Sequence, residues 1–297
     1  MATVGFIGLG NMGLPMAGNL IKDGHRVVAY DIEGSRLDAA VERGAVAALS
    51  AASATQDADV VITMLPVGRH VLSVYNDGLV AAASTGTLLI DCSTIDVADA
   101  RQAHEIASQK GLQSLDAPVS GGVGGAEAAT LTFMVGGKQT AFSAAKAILG
   151  SMGQKVVHCG EAGAGQAAKI CNNMIMAVSM IGVAEGFCLA EKLGLSPQAL
   201  HEVVSTSSGS CWAMTNYCPV PGPVPKSPAN NDFKPGFATA LMEKDLTLSQ
   251  NAALTTGAST PMGAEATHLF RLYMSIGGGD KDFSSIIQFI RGMERAP

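Results

Sequence analysis

"TVGFIGLGNMGLPMAGNLIKDGHRVVAYD" occupies residues 3–31. It starts as a short apolar run, breaks at glycine, continues with helical spacing to Gly24, and resumes as the apolar "RVVAYD". A strand, a helix and a second strand in that order predict a βαβ unit. Gly8, Gly10 and Gly13 place GxGxxG at its first turn, where a dinucleotide fold passes from strand to helix. The three glycines have separate tasks there: the first permits the tight turn, the second lets backbone approach a pyrophosphate, and the third lets the helix pack closely on the strand. Leu9, Asn11 and Met12 complete the phosphate-facing loop, and the N-terminus of the helix faces the same charge.

Asp31 closes the second strand about 20 residues further on, where an acid hydrogen-bonds the adenosine ribose 2′-hydroxyl. Its charge, with that of Glu33, repels a 2′-phosphate. Arg36 is able in principle to hold such a phosphate, but the two acids outweigh it and the expectation is NAD rather than NADP.

Working outward, further strand-like runs follow at 59–66, 86–94, 112–120, 131–137 and 155–160, with helical patterns at 68–83, 96–110 and 139–150. The alternation predicts a doubly wound, mostly parallel sheet, an α/β Rossmann domain. Ligands of such sheets sit beyond the carboxyl ends of the strands, and those ends read "MLP", "CST" and "APVSGG". Leu65 and Pro66 are candidates for the adenine-ribose side, and Thr94 for the nicotinamide end; an ordinary strand-exit turn is the alternative for each. Ser120, Gly121 and Gly122 offer a hydroxyl and unhindered backbone N–H groups, a nest suited to a carboxylate. A glycine-rich turn with no ligand is the other reading.

The 297 residues suffice for two domains. A net charge of -6 gives no basic surface with which to track phosphates, so nucleic acid is not an expected partner. Six scattered cysteines, without CxxC spacing, predict neither a zinc site nor a disulfide framework, and no metal is expected. They suit a reducing compartment: the cytoplasm, or the mitochondrial matrix if the chain is a processed form. The apolar run 170–189 approaches membrane-spanning length but contains two Asn and a Glu, so a core helix is predicted and no membrane.

From residue 164 the pattern turns helical, which predicts domains at 1–163 and 164–297. A helix over 165–193 would be roughly 42 Å long. Gly165, Lys169 and Asn173 recur at four-residue spacing and share one face of it. Lys169 has three readings. It is a surface lysine, although Ala167, Ala168, Ile170 and Cys171 beside it are small or apolar; it pairs with Glu185 or Glu161; or it carries a proton in a partly desolvated site. Trp212 and Tyr217 precede a proline-rich stretch, as a surface loop or a substrate wall. Lys244 and Asp245 lie on a later helix, where such a pair is usually a solvated face.

"GFIGLGNMG", "DAPVSGG", the Gly165/Lys169/Asn173 pattern and "KDL" at 244–246 together resemble, in order and spacing, the β-hydroxyacid dehydrogenase family. "APVSGGVGGA", "GQAAKICNN", "NYCPVPG" and "DKDFSSIIQFIRG" are most similar to its 3-hydroxyisobutyrate dehydrogenase branch. The resemblance covers essentially the whole chain. It implies a Rossmann domain, a long interdomain helix and an all-helical second domain that forms a homodimer or homotetramer. It also implies hydride transfer between NAD and a small 3-hydroxy acid. By the same resemblance Lys169 is the general acid/base, and Ser120, Gly121, Gly122 and Asn173 hold substrate. Thr94 and Lys244 contact the cofactor, while Trp212, Tyr217 and Asp245 lie close to the pocket. Imine reductases share the scaffold but typically lack the lysine; phosphogluconate dehydrogenases are longer and need basic residues for a phosphate. "NYCPVPGPVPKSP" and "SSGSCWAM" depart from many relatives. They leave L-serine, tartronate semialdehyde and succinic semialdehyde open as substrates, with a non-catalytic dinucleotide sensor as the distant reading.

Overall fold

The computed structural model describes residues 1–292, which divide into two compact units meeting between Lys169 and Ile170. The first unit is built on a nine-stranded sheet: β1 (Thr3–Ile7), β2 (Arg26–Tyr30), β3 (Val46–Ala47), β4 (Val60–Thr63), β5 (Leu88–Asp91), β6 (Gln113–Asp116), β7 (Val119–Ser120), β8 (Leu131–Gly136) and β9 (Gly153–Gly160). The order is β3-β2-β1-β4-β5-β6-β8-β7, with β9 paired to β8. The first six strands run parallel in the doubly wound order, and only the β6/β8 and β7/β8 pairings are antiparallel.

β4 and β5 are buried throughout because helices cover both faces of the sheet. One core gathers Val4, Phe6, Ile62, Ile90 and Phe133, and the opposite face gathers Ile7, Val61, Leu79 and Leu89. The register aligns the carboxyl ends in one row: Tyr30 beside Ile7, Ile7 beside Thr63, Thr63 beside Asp91, Asp91 beside Asp116. Whatever follows those five residues emerges along a single edge.

Four local features differ from the sequence expectation. The run 112–120 is two strands, parallel β6 and antiparallel β7, parted at Ala117 and Pro118, where the proline lacks a ladder N–H. The stretch 68–83 is interrupted at Gly78, whose φ of 118° ends regular helix. A helix over Gly34–Glu42 and the two-residue β3 were not foreseen. β3 is too short to leave a periodic signal.

The second unit is helical among its described residues. It contains Pro197–Val204, Trp212–Thr215, Thr239–Thr256, Pro261–Tyr273 and Ile286–Ile290. Its core joins Ala177, Met180, Ala184 and Phe187 to Met242, Leu246, Phe270 and Phe283. A 29-residue helix, Ala164–Lys192, carries the chain from one unit into the other. It is long and apolar enough to cross a membrane by length and composition, yet the residues just named from it are core of the second unit. It ends at Gly194, whose φ of 79° allows the N–H of Leu195 to turn back onto Ala190 O.

Candidate active site

The glycine loop follows β1. Gly8 adopts φ +96°, and a Cβ there would lie 2.3 Å from Met64 O; a Cβ on Gly13 would lie 1.9 Å from Gly8 O. The fold itself demands both glycines. Gly10 differs, because a Cβ there would meet nothing within 4 Å. Nothing in the protein requires it to be bare, which fits a loop shaped for the close approach of a pyrophosphate. Asn11 is exposed and Met12 half-buried on the same loop. Leu9 is buried, and its N–H donates to Asp31 Oδ2 at 2.6 Å. Asp31 Oδ1 accepts the Glu33 N–H at 2.9 Å, with Arg36 Nη1 3.9 Å away. Asp31 thus ties the glycine loop to the start of the next one. Each of its oxygens has a further acceptor position, which suits a ribose hydroxyl.

Beyond β4 and β5 the strand ends are bound together by side chains that motif reading passed over. The Leu65 N–H donates to Ser93 Oγ at 2.8 Å, and Ser93 Oγ donates to Asp91 Oδ1 at 2.6 Å. Thr63 Oγ1 donates to the same oxygen at 2.7 Å. Burial pushes the Asp91 carboxyl up to about 6, against the opposing pull of the Ser93 and Thr63 hydrogen bonds. Its other oxygen, Oδ2, is buried without a hydrogen-bond partner among the described residues. Half-buried Leu65 and Thr94 and exposed Pro66 stand on this framework. A cluster of Asp and Ser at the end of an otherwise apolar strand was the available signal for it.

Beyond β7, Gly121 and Gly122 have φ of 139° and 63°, values open to glycine, and they begin a short helix, Gly122–Glu127. Half-buried Ser120 precedes them. The turn read as a nest is therefore also a helix start.

Lys169 is 7% exposed. The helix bearing it is seated by Asp116, whose Oδ1 accepts the Gly163 N–H at 2.8 Å and whose Oδ2 accepts the Gln166 N–H at 2.9 Å. The carboxylate thereby satisfies two of the donors that a helix start leaves unpaired. Backbone approaches backbone at this seat: a Cβ on Gly165 would lie 2.4 Å from Met134 O, and one on Gly136 would lie 2.7 Å from Gly165 N.

In the helical unit, Asn173 and Asp245 are both buried, and Asn173 Nδ2 donates to Asp245 Oδ2 at 2.5 Å. Lys244 Nζ lies 3.2 Å from Asp245 Oδ1. The pair read as an ordinary solvated face is instead half sunk in the unit. Trp212 stacks on Tyr217 at 4.8 Å, and Tyr217 stacks on Phe283 at 5.4 Å. The Tyr217 hydroxyl donates to Asp282 Oδ2 at 2.8 Å, so the ring is what Tyr217 offers to a neighbour. Trp212, 49% exposed, ends the stack. Among the described residues no group of three His, Cys, Asp or Glu side chains could hold a metal.

Residues 3–160 match the family model for the NAD binding domain of 6-phosphogluconate dehydrogenase. Residues 163–290 match the model for the NAD-binding region of NADP-dependent 3-hydroxyisobutyrate dehydrogenase. The chain is 53% identical over 291 residues to a probable 3-hydroxyisobutyrate dehydrogenase of Mycobacterium tuberculosis, covering 98% of each chain. It is 48% identical to an NAD-dependent L-serine dehydrogenase of Pseudomonas aeruginosa, covering 96% of this chain and 97% of that one. A solved structure of the Mycobacterium tuberculosis 3-hydroxyisobutyrate dehydrogenase with L-serine superposes with a TM-score of 0.95 at 52% identity, over 98% of this chain and 100% of the other.

Proposed function

The chain belongs to the β-hydroxyacid dehydrogenase family and is an NAD-linked hydroxyacid dehydrogenase, and from that premise we propose that it oxidises 3-hydroxyisobutyrate to methylmalonate semialdehyde. The observation that carries the residue assignment is the burial of Lys169: a lysine 7% exposed, on a helix whose neighbouring residues are small or apolar, is suited to proton transfer rather than to solvation.

Bound NAD supplies the acceptor for the hydride that leaves the hydroxyl-bearing carbon. Neutral Lys169 takes the proton of that hydroxyl, so the C–H and O–H bonds break as the carbonyl forms. Asn173, its amide fixed by Asp245, orients the substrate hydroxyl. Ser120 and the Gly121 and Gly122 N–H groups hold the carboxylate and so choose which hydrogen is transferred. The glycine loop and Asp31 hold the dinucleotide, Leu65, Pro66 and Thr94 line its course, and Lys244 contributes a cation. Trp212 and Tyr217 form an aromatic wall.

A second reading, L-serine as substrate, is supported by the NAD-dependent L-serine dehydrogenase among the relatives and by the similar structure with L-serine. The test is NADH formation with (S)-3-hydroxyisobutyrate, L-serine and D-glycerate side by side, each repeated with NADP. A dominant rate with hydroxyisobutyrate and NAD upholds the proposal. A dominant rate with L-serine transfers it to that acid, and silence on all three favours a dinucleotide sensor.

The same proposal includes a homodimer or homotetramer formed through the helical unit, where Ile175, Leu189, Leu254 and Met262 are all more than 60% exposed. It places the protein in the cytoplasm, or in the mitochondrial matrix if processed, in keeping with six free cysteines.

A further inference from the structure

Gln166 is wholly buried, and both polar atoms of its side-chain amide are used within the first unit. Its Nε2 donates to Ser93 O at 2.7 Å, and its Oε1 accepts the Ile95 N–H at 3.1 Å. Those two main-chain groups stand immediately before and after Thr94. Its own N–H donates to Asp116 Oδ2 at 2.9 Å. Lys169 follows three residues later on the same helix face.

We propose that Gln166 is a positioning residue: its amide clamps the main chain on both sides of Thr94 to the first turn of the Lys169 helix, fixing the cofactor loop against the proton carrier. The inference rests on the roles proposed above for Thr94 and Lys169.

The chemistry of the clamp is specific to an amide. One planar group must donate to a carbonyl and accept from an N–H at the same time. Ionised Glu lacks the donor, Lys and Arg lack the acceptor, Met lacks the donor, and Leu lacks both. Packing alone would be met by Leu or Met, which would avoid the desolvation of two polar atoms. Other anchors of this region act elsewhere. Asp116 and the Gly136/Gly165 approach seat the helix on β6 and β8, while Ser93 Oγ and Asp91 hold the Thr94 loop to β4 and β5. The hydrogen bonds of the Gln166 side chain join the two assemblies. Hydride and proton leave neighbouring atoms of one substrate, so a drift of about 1 Å between their acceptors is enough to lower turnover about 100-fold.

The test compares Gln166→Leu, Gln166→Glu and Lys169→Ala in the full-length chain. It measures kcat, the KM of the hydroxy acid, the Kd of NAD by titration calorimetry, and melting temperature. In Gln166→Leu, kcat should fall about 10- to 100-fold while the Kd of NAD changes by less than about threefold. A purely architectural glutamine would lower the melting temperature and leave kcat of the folded protein alone. Gln166→Glu keeps the acceptor for Ile95 and regains the donor to Ser93 only when protonated. Its kcat relative to wild type should therefore rise as pH falls. A folded Gln166→Leu with kcat within about twofold of wild type overturns the clamp. If that variant does not fold, a pH-independent ratio for Gln166→Glu overturns it instead. Undiminished turnover in Lys169→Ala refutes the proposed mechanism itself, whatever the Gln166 variants do, so the two failures are told apart.

Discussion

Asn173 Nδ2 donates to Asp245 Oδ2 at 2.5 Å with both side chains at most 2% exposed, so one carboxylate, together with Asn172 Nδ2 donating to Asn173 Oδ1 at 3.0 Å, holds the orientation of this amide in the helical unit. Replacing Asp245 with Ala leaves that amide without its acceptor at a buried position, at a cost of about 1–3 kcal/mol. The melting temperature should fall by several degrees and turnover should drop with it. Asp245→Asn, which keeps the volume and one acceptor oxygen, should lose less of both. Thermal melts and steady-state rates on the two variants check the order.

Lys169→Ala removes the proposed proton carrier but none of the groups assigned to the dinucleotide. Turnover should fall about 100- to 10,000-fold, with the Kd of NAD essentially unchanged. A variant that turns over normally ends the mechanism.

Gly10 and Gly13 make a paired test of which glycine serves the fold and which the ligand. A methyl on Gly13 collides with Gly8 O, whereas one on Gly10 enters open space. Gly13→Ala should therefore lower the melting temperature, and Gly10→Ala should leave it near wild type while weakening NAD binding. The opposite pattern would falsify the placement of the pyrophosphate.

Asp31→Ala should weaken NAD and narrow its advantage over NADP. The carboxylate that repels a 2′-phosphate is gone, and Arg36, now 3.9 Å from it, is released toward that phosphate. Because Leu9 also loses its acceptor, part of the NAD loss comes from a looser glycine loop. The informative quantity is the ratio of kcat/KM for the two cofactors, and an unaltered ratio moves the ribose contact elsewhere.

Asp91 predicts a pH dependence of stability. Its carboxyl is pushed from 3.8 up to about 6, chiefly by burial. Between those values the folded chain binds more protons than the unfolded one. The stability this group contributes is complete below about pH 4 and lost as pH rises through about 6. The amount is on the order of 2–3 kcal/mol for a shift of this size. Asn cannot ionise, and its Oδ1 can still accept from Thr63 and Ser93. Asp91→Asn should therefore gain on wild type in melting temperature between pH 4.5 and 7.5; parallel curves would dismiss the assignment.

The sequence made the βαβ start, the sheet and the long helix legible for a physical reason. Buried parallel strands and a helix of 29 residues both impose hydrophobic patterns longer than chance produces. Gly8, Gly13 and Asp31 were legible because a tight turn and a strand end restrict residue type. Pro118 splitting a strand, and Gly78 interrupting a helix, were written in the sequence as single residues whose effect depends on their partners in space. Asp91, Ser93, Asp116 and Gln166 escaped motif reading because each also has a partner far off in sequence: 28 residues from Asp91 to Thr63 and from Ser93 to Leu65, 50 from Asp116 to Gln166, and 73 from Gln166 to Ser93. Conversely, Lys244 and Asp245 read as a solvated pair because burial of a later helix face leaves little mark when polar residues stand on it.

The contact of bare backbone at Gly136 and Gly165 bears on how this protein can be improved by hand. Exchanging glycine for alanine is an ordinary route to a more heat-resistant protein, since it curbs the freedom of the unfolded chain. Gly182, in mid-helix with open space around it, accepts a methyl on steric grounds. At Gly136 and Gly165 the added carbon meets main-chain atoms, which no companion mutation can trim away. A stabilisation campaign that treats all glycines alike would spend its gains at these two, and would displace first the very turn from which Lys169 is hung.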